Sequence, residues 1–358
     1  MTAYKPLKVA LLGCGAVSSL YYVPALQALE NLGQVQVAAL FDPNLANVAL
    51  IHKSFPVAKP LQAFDELSRL GLDLAIVASP PQFHAPQTIQ LLKSGVNVMC
   101  EKPMALTHAE GEAMVRVASE SPRLLAIGLV RRFIPAAQTI HNIVSQKLLG
   151  DVKSFYFSEG RVFRWPVQSA SYFKENGVLR DIGVHVFDLL IHWFGEPEEI
   201  FYEDDAMGGV ELNCRIQLKF SQGVSGEVRL SRDIEFPNSC LIHCGNGQMN
   251  WQIDETNKLQ IHFNDSSYSL DGQLRQVKDK NVFIPGLAAA EFDQCFLDQL
   301  QNVIAAIRGT ETLIVSGQSG LFSLKAIDYC YSNRKLMDMP WLDEREHLLA
   351  QQKDIQPK

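Results

Sequence analysis

Residues 7–26 read LKVALLGCGAVSSLYYVPAL. An apolar run enters Gly13-Cys14-Gly15-Ala16-Val17-Ser18, and a helical pattern follows at once. Strand, glycine turn and helix in this order are the signature of a dinucleotide-binding βα turn. Gly13 lets the chain turn sharply and Gly15 lets backbone approach a pyrophosphate. The helix start at Ala16 and Val17 offers free N–H groups and the positive end of the helix dipole. The usual third small residue is replaced by Ser18, which is expected to loosen helix–strand packing slightly. The next apolar run ends in ALFDPN. Asp42 thus falls at a strand C-terminus, where an acid accepts both ribose hydroxyls and repels a 2′-phosphate. No arginine follows immediately, so NAD is expected over NADP. A plain turn residue ahead of Pro43 is the competing reading of Asp42.

Outward from this turn, LKVALLG, QVAALF, LDLAIVAS, VNVMCE and RLLAIG alternate with helical stretches such as PALQALENL and QTIQLLKSG. That alternation predicts repeated βαβ units, a doubly wound parallel Rossmann sheet over residues 1–128. After Gly128 the texture changes: a helical segment, AAQTIHNIVSQKLLG, leads to VKSFYFSEGRVF, and then LNCRIQLKF, VSGEVRL, CLIHCGNGQMNWQI and KLQIHF alternate apolar with polar residues. Residues 129–358 therefore read as an α+β domain with a large, mainly antiparallel open sheet. Gly245-Asn246-Gly247 is read as a hairpin turn needing positive φ. Two helical segments, AAEFDQCFLDQLQNVIAAIRG and SGQSGLFSLKAIDYCYSNRK, follow, and the C-terminal helix has the option of packing back on the first domain.

A chain of 358 residues is long for one core, so two domains are expected. With 47% hydrophobic and 20% charged residues it is not a disordered chain. A net charge of -7 and the lack of any Lys/Arg block argue against a nucleic-acid surface. No apolar run reaches membrane length, and the first is too short for an export-signal core. Seven cysteines without paired spacings suggest reduced thiols and a cytoplasmic location. In CLIHC, strand alternation puts Cys240 and Cys244 on one face and His243 on the other, so no metal is expected there.

Residues 177–195, GVLRDIGVHVFDLLIHWFG, carry Asp181, His185, Asp188 and His192 at helical spacing within an apolar segment. A metal site, an acid/base site and a structural hydrogen-bonded seam would each produce that stripe. Two further segments narrow the choice: Ser79-Pro80 leading to His84 at the end of one strand, and Glu101-Lys102-Pro103 at the end of another. Both lie on the edge where open α/β sheets bind ligands. Pro103 restricts Lys102 to extended or turn conformations, which presents its ammonium from a loop.

Together, GCGAVS, Ser79 through His84, Glu101-Lys102-Pro103 and Asp181-Ile182-Gly183-Val184-His185-Val186-Phe187-Asp188 resemble the Gfo/Idh/MocA oxidoreductases, the family of glucose–fructose oxidoreductase and inositol dehydrogenase. The resemblance implies hydride transfer between a nicotinamide and a secondary alcohol or hemiacetal carbon of a sugar or cyclitol. It implies cofactor contacts from Gly13, Gly15, Ala16, Val17, Asp42, Ser79, Pro80, His84, Glu101 and Lys102. Catalysis would fall to Lys102, Asp181 and His185, with Asp188 supporting the substrate; His192, beyond the pattern, is expected to be structural. Arg164 and Trp165 are candidates to hold a carboxylate or a sugar face. The apolar face of an open sheet suggests a homodimer or homotetramer. A metal-dependent enzyme, an NAD-dependent glycosidase or non-sugar reductase, and a noncatalytic cofactor-binding sensor are the rival readings.

Overall fold

The computed structural model describes residues 5–162, 176–264, 266–267, 269–273 and 291–338. Arg164 and Trp165 lie outside the described residues. The chain divides into two compact units, Met1–Ile134 with Val277–Leu324, and Pro135–Gln276 with Lys325–Lys358.

In the first unit, β1 (Leu7–Leu12), β2 (Val35–Phe41), β3 (Lys59–Pro60), β4 (Leu74–Val77), β5 (Asn97–Cys100) and β6 (Leu125–Ile127) form a sheet of order β3-β2-β1-β4-β5-β6. Every pairing is parallel. Val9–Leu12 and Leu74–Val77 are wholly buried, as expected when helices cover both faces of a sheet, which is why these strands read as apolar runs without alternation. The helices α1 (Val23–Asn31), α2 (Leu45–His52), α3 (His84–Lys93) and α4 (His108–Ser119) lie between successive strands. Strand order reverses between β1 and β4, the switch point at which such sheets open a ligand crevice.

A π turn, Ser18–Tyr22, precedes α1. Pro24 lies just beyond it and has no N–H for an ordinary helical bond, so a local widening of the ladder accommodates it. The turn presents Tyr21 and Tyr22 to the helix Glu291–Ile307, where Tyr21 stacks on Phe296 at 4.5 Å and Tyr22 meets the same ring edge-on at 5.5 Å.

In the second unit, α5 (Pro135–Ser145) and α6 (Val184–Phe194) accompany β7 (Val152–Gly160), β8 (Pro197–Asp204), β9 (Asn213–Phe220), β10 (Ser225–Ser231), β11 (Phe236–Cys244), β12 (Gly247–Gln252), β13 (Lys258–Phe263), β14 (Ser269–Gln273) and β15 (Lys335–Leu336). Among the described residues these strands form one mixed sheet, β14-β13-β12-β11-β7-β10-β9-β8-β15. Only β7·β10 and β8·β15 pair in parallel. Cys214, Ile216, Leu218 and Phe220 bury one face of β9, the period-2 pattern of a half-covered sheet. The covering element is α6: Phe194 lies 5.4 Å from Phe155 and 5.5 Å from Phe220, and Trp193 lies 6.5 Å from Trp251. On the opposite face Arg215 pairs with Glu203 and Glu227, and Lys219 pairs with Glu199. Tyr156 and Phe201 lie partly exposed there.

Two local readings resolve here. Cys240 and Cys244 are buried while His243 is exposed, as strand alternation requires. The β11–β12 loop, however, contains no residue of positive φ at 245–247, against the expectation for Gly-Asn-Gly. Contacts outside the hairpin set this loop instead: Gly245 N–H donates to Asp151 O, and Asn246 N–H donates to Leu149 O. The left-handed residue is Gly150, at φ +76, in the segment that the loop packs against.

Gly13 has φ +84, and a Cβ built there lies 2.3 Å from Ala78 O. Gly15 has no atom within 4 Å of an added Cβ. Gly13→Ala is therefore expected to cost about 3 kcal/mol or more in urea unfolding, through backbone strain and overlap with main chain. Gly15→Ala should unfold close to the parent.

Candidate active site

The βα turn is held closed by its own polar groups. Ser18, fully buried, donates from its hydroxyl to Gly13 O at 2.5 Å. The unusual third position thus fastens the loop rather than loosening it. Asp42 receives Cys14 N–H on one carboxylate oxygen and Asn44 N–H on the other, each at 2.7 Å. Gly15, Ala16 and Val17 are exposed at the helix start, leaving their amides beside open space.

At the end of β4, Ser79 donates to Gln87 Oε1 at 2.7 Å. His84, at the start of α3, is buried, with Nδ1 2.8 Å from Pro103 O and Nε2 2.7 Å from Ser79 O. Burial pulls its pKa down, while the two carbonyls pull it up by less. His84 thus ties the Ser79-Pro80 loop to the loop after β5, and both ring nitrogens are engaged by main chain.

Glu101 ends β5 inside the protein. Its Oε1 accepts the Tyr22 hydroxyl at 2.5 Å and its Oε2 accepts Lys102 N–H at 2.9 Å. Burial raises its carboxyl pKa, and those two donors with the Lys102 charge oppose the rise. Lys102, half-buried, is joined to Pro103 by a cis peptide. The lysine is therefore pinned on both sides, by Glu101 before it and by the Pro103 carbonyl that meets His84.

In the second unit the polar stripe does not sit on one regular helix. Leu179–Gly183 forms a π turn, and α6 begins at Val184. Asp181 lies in the π turn, and its carboxylate is 2.7 Å from a guanidinium nitrogen of Arg232. Arg232 Nη1 also donates to Asn176 O at 2.7 Å. Gly183 lets this turn approach the sheet, since a Cβ there would lie 2.7 Å from Leu179 Cδ1 and 3.3 Å from Leu230 Cδ1. His185 and Asp188 are buried along α6. His192 stacks on His141 of α5, ring centroids 3.9 Å apart. Beneath the turn, Glu211 Oε1 accepts Leu179 N–H at 3.0 Å and the Tyr331 hydroxyl at 2.8 Å. A Cβ at Gly177 would collide with the Glu211 carboxylate at 1.9 Å, which accounts for glycine at the entry to the motif.

Residues 7–129 match the model described as an oxidoreductase family with an NAD-binding Rossmann fold. Residues 137–250 match that of the GFO/IDH/MocA C-terminal domain. The chain belongs to the Gfo/Idh/MocA family. Among curated relatives, scyllo-inositol 2-dehydrogenase (NADP(+)) IolW of Bacillus subtilis is 30% identical over 54% of this chain and 53% of its own length. D-glucoside 3-dehydrogenase of Escherichia coli is 27% identical over 54% and 55%. The chain spans about half the length of these curated relatives. A solved levoglucosan dehydrogenase, in complex with NADH and levoglucosan, shares the fold at TM-score 0.79, with 17% identity over 92% of this chain and 97% of that one.

Within the Gfo/Idh/MocA frame, Gly13, Gly15, Ala16, Val17, Asp42, Ser79, Pro80, His84, Glu101 and Lys102 gather at the C-terminal ends of β1, β2, β4 and β5. Asp181, His185 and Asp188 lie along one continuous helical segment. Sequence reasoning passed over Tyr22, Glu211 and Arg232. Arg232 had a signal: Val228 and Leu230 face inward along β10, and residue 232 keeps their parity. Among the described residues, no three His, Cys, Asp or Glu side chains cluster as metal ligands.

Arg232→Met would leave Asp181 without this largely buried partner and is expected to destabilise the fold by about 3 kcal/mol. Adding Asp181→Asn should recover much of that loss in urea unfolding. Burial raises the Glu211 carboxyl above its ordinary value of 4.5, so its contribution to stability is full below that pH and is lost as pH rises through the raised value. Glu211→Gln keeps an acceptor for both donors and cannot ionise. Its urea-unfolding free energy is expected to fall less than the parent's between about pH 4.5 and pH 8.

Proposed function

We propose that this protein is an NAD(P)-dependent oxidoreductase acting on a secondary alcohol, or the matching carbonyl, of a sugar, cyclitol or sugar derivative. One observation carries the cofactor reading: the exposed helix start beside Gly15 and the backbone-held Asp42 carboxylate stand together at the C-terminal ends of β1 and β2, next to the sheet's switch point. These residues fit a dinucleotide. Helix amides and the gap at Gly15 suit a pyrophosphate, and each Asp42 oxygen retains acceptor capacity for ribose hydroxyls. Asp42 favours NAD, because a 2′-phosphate would meet a carboxylate. The inositol and glucoside dehydrogenase names of the relatives support the substrate class.

The nicotinamide, when bound, supplies the hydride acceptor or donor. This chain's own residues handle the proton and the oxygen. Lys102 polarises the substrate oxygen and stabilises developing alkoxide charge. His185 takes or returns the hydroxyl proton at an imidazole nitrogen. Asp181, kept beside Arg232, binds substrate or orients the imidazole, and Asp188 supports them. The reading puts the protein in the cytoplasm, consistent with seven buried free thiols. It also predicts a homodimer or homotetramer through the sheet face that bears Tyr156 and Phe201.

Purified protein is expected to reduce NAD with scyllo-inositol, a glucoside or another polyol from a panel of sugars, inositols and sugar nucleotides, read at the NADH absorbance. His185→Ala should leave cofactor affinity largely unchanged and lower kcat by about 10²–10⁴-fold, whereas Lys102→Met should lower kcat by a similar factor and also weaken cofactor binding. Gly15→Ala should weaken NAD binding while leaving stability intact. Tighter NADP than NAD binding would overturn the Asp42 assignment, and glycan cleavage without net NADH would favour a glycosidase.

A further inference from the structure

Tyr22 enters the first unit from the π turn that follows the phosphate-binding loop, and it is wholly buried. Its hydroxyl meets Glu101 Oε1 at 2.5 Å, and the other oxygen of the same carboxylate receives Lys102 N–H at 2.9 Å. On a third side stands Gly128, at the end of β6, where a Cβ would lie 2.8 Å from the carboxylate. Glu101 is therefore clamped between a helix start, a strand end and the lysine's own peptide. A carboxylate so buried takes its orientation from its two donors, because solvent does not replace either one.

We propose that Tyr22 is a positioning residue for Lys102, acting through Glu101, so that the helix start facing the dinucleotide and the loop carrying the lysine hold one geometry. The proposal rests on the reading of Lys102 as the group that polarises the substrate oxygen. Among the described residues, three titratable groups face the Glu101 carboxylate: Tyr22 from the π turn, Lys102 from its own loop and Cys100 from β5. The phenol donates a hydrogen bond that favours the ionised acid. Removing it shifts Glu101 toward its neutral form and deprives the Lys102 ammonium of a neighbouring anion. A residue that merely filled space would leave the lysine's titration alone.

The coupling is read without substrate. Tyr22→Phe keeps the ring against Phe296 and removes the hydroxyl; Glu101→Gln keeps the carboxyl shape and removes the charge. The pH dependence of Lys102 labelling by trinitrobenzenesulfonate, followed by peptide mass spectrometry, is expected to move down by about one unit in both variants. Unchanged labelling profiles in both would overturn the proposal. With scyllo-inositol or another polyol that turns over, Tyr22→Phe should lower kcat about tenfold with KM nearly unchanged. In a Lys102→Met background it should cost nothing further. An equal loss in both backgrounds would mark Tyr22 as purely structural and sink the proposal. Near-normal turnover by Lys102→Met alone would overturn the reading of Lys102 and the proposal with it. Silent Tyr22 and Glu101 variants beside a crippled Lys102→Met would overturn only the proposal.

Discussion

Residue 13 lies against the main chain at Ala78, and only a glycine fits there: φ is +84 and a Cβ would lie 2.3 Å from a carbonyl oxygen. Hydrogen bonds explain why the approach is so close. Gly13 N–H donates to Phe41 O, and Ala78 N–H donates to Leu12 O, both at 2.8 Å. The sheet's bonding thus runs past the ends of β1 and β4. From that contact a circuit of polar groups closes around the strand ends. Asp42 holds Cys14, Ser18 holds Gly13, His84 holds Ser79 and Pro103, and Glu101 holds Lys102 while taking the Tyr22 hydroxyl. The circuit returns to the helix that the glycine turn began. Most of these links use main-chain atoms on one side, so the loops are fixed by backbone position more than by side-chain packing.

Both units break a regular helix where polar side chains must be placed. Ser18–Tyr22 and Leu179–Gly183 are π turns, each running directly into an α-helix. A π turn adds a residue to the ladder and rotates the helix beyond it. In the first unit it turns Tyr22 into the interior. In the second it places Asp181 next to Arg232 while Asp188 is buried deeper along α6. The even spacing of Asp181, His185, Asp188 and His192 therefore overstates their likeness. One meets an arginine, and another stacks on His141.

This geometry explains what was legible in the sequence. The parallel sheet was legible because strands covered on both faces must be continuous apolar runs, as in Val9–Leu12 and Leu74–Val77. The second sheet was legible because half-covered strands alternate, as in β9. Gly13, Asp42 and Lys102 could be placed because a strand end, a turn and a proline each leave a local mark. Tyr22 could not, since a π turn erases the helical phase that would assign its direction. The β11–β12 loop departs from its sequence for a related reason: Gly-Asn-Gly carries a strong local turn signal, and the hydrogen bonds that Gly245 and Asn246 donate to carbonyls at 149 and 151 override it. Ser18 was underrated because the motif describes a missing side chain, while the structure uses the hydroxyl that is present.

The pair formed by Asp181 and Arg232 follows a different logic from the backbone circuit of the first unit. Burying two charges costs desolvation that their attraction only partly returns, and apolar residues of similar size often do as well or better for stability. Stability alone thus gives little reason to keep an acid at the start of a buried helix. Asp181 is nevertheless given a cation. Arg232 stands 2.7 Å from Asp181, a second carboxylate, Glu211, takes Leu179 N–H, and the positive end of the helix dipole lies at the same turn. Arg180 lies over the Tyr331 ring, whose hydroxyl donates to Glu211. At this turn the cation that meets Asp181 is Arg232, while burial favours the neutral form of Glu211. A side chain required only to fill volume would not need an arginine partner; under the proposed function Asp181 needs one, because that proposal keeps it charged beside the substrate hydroxyl.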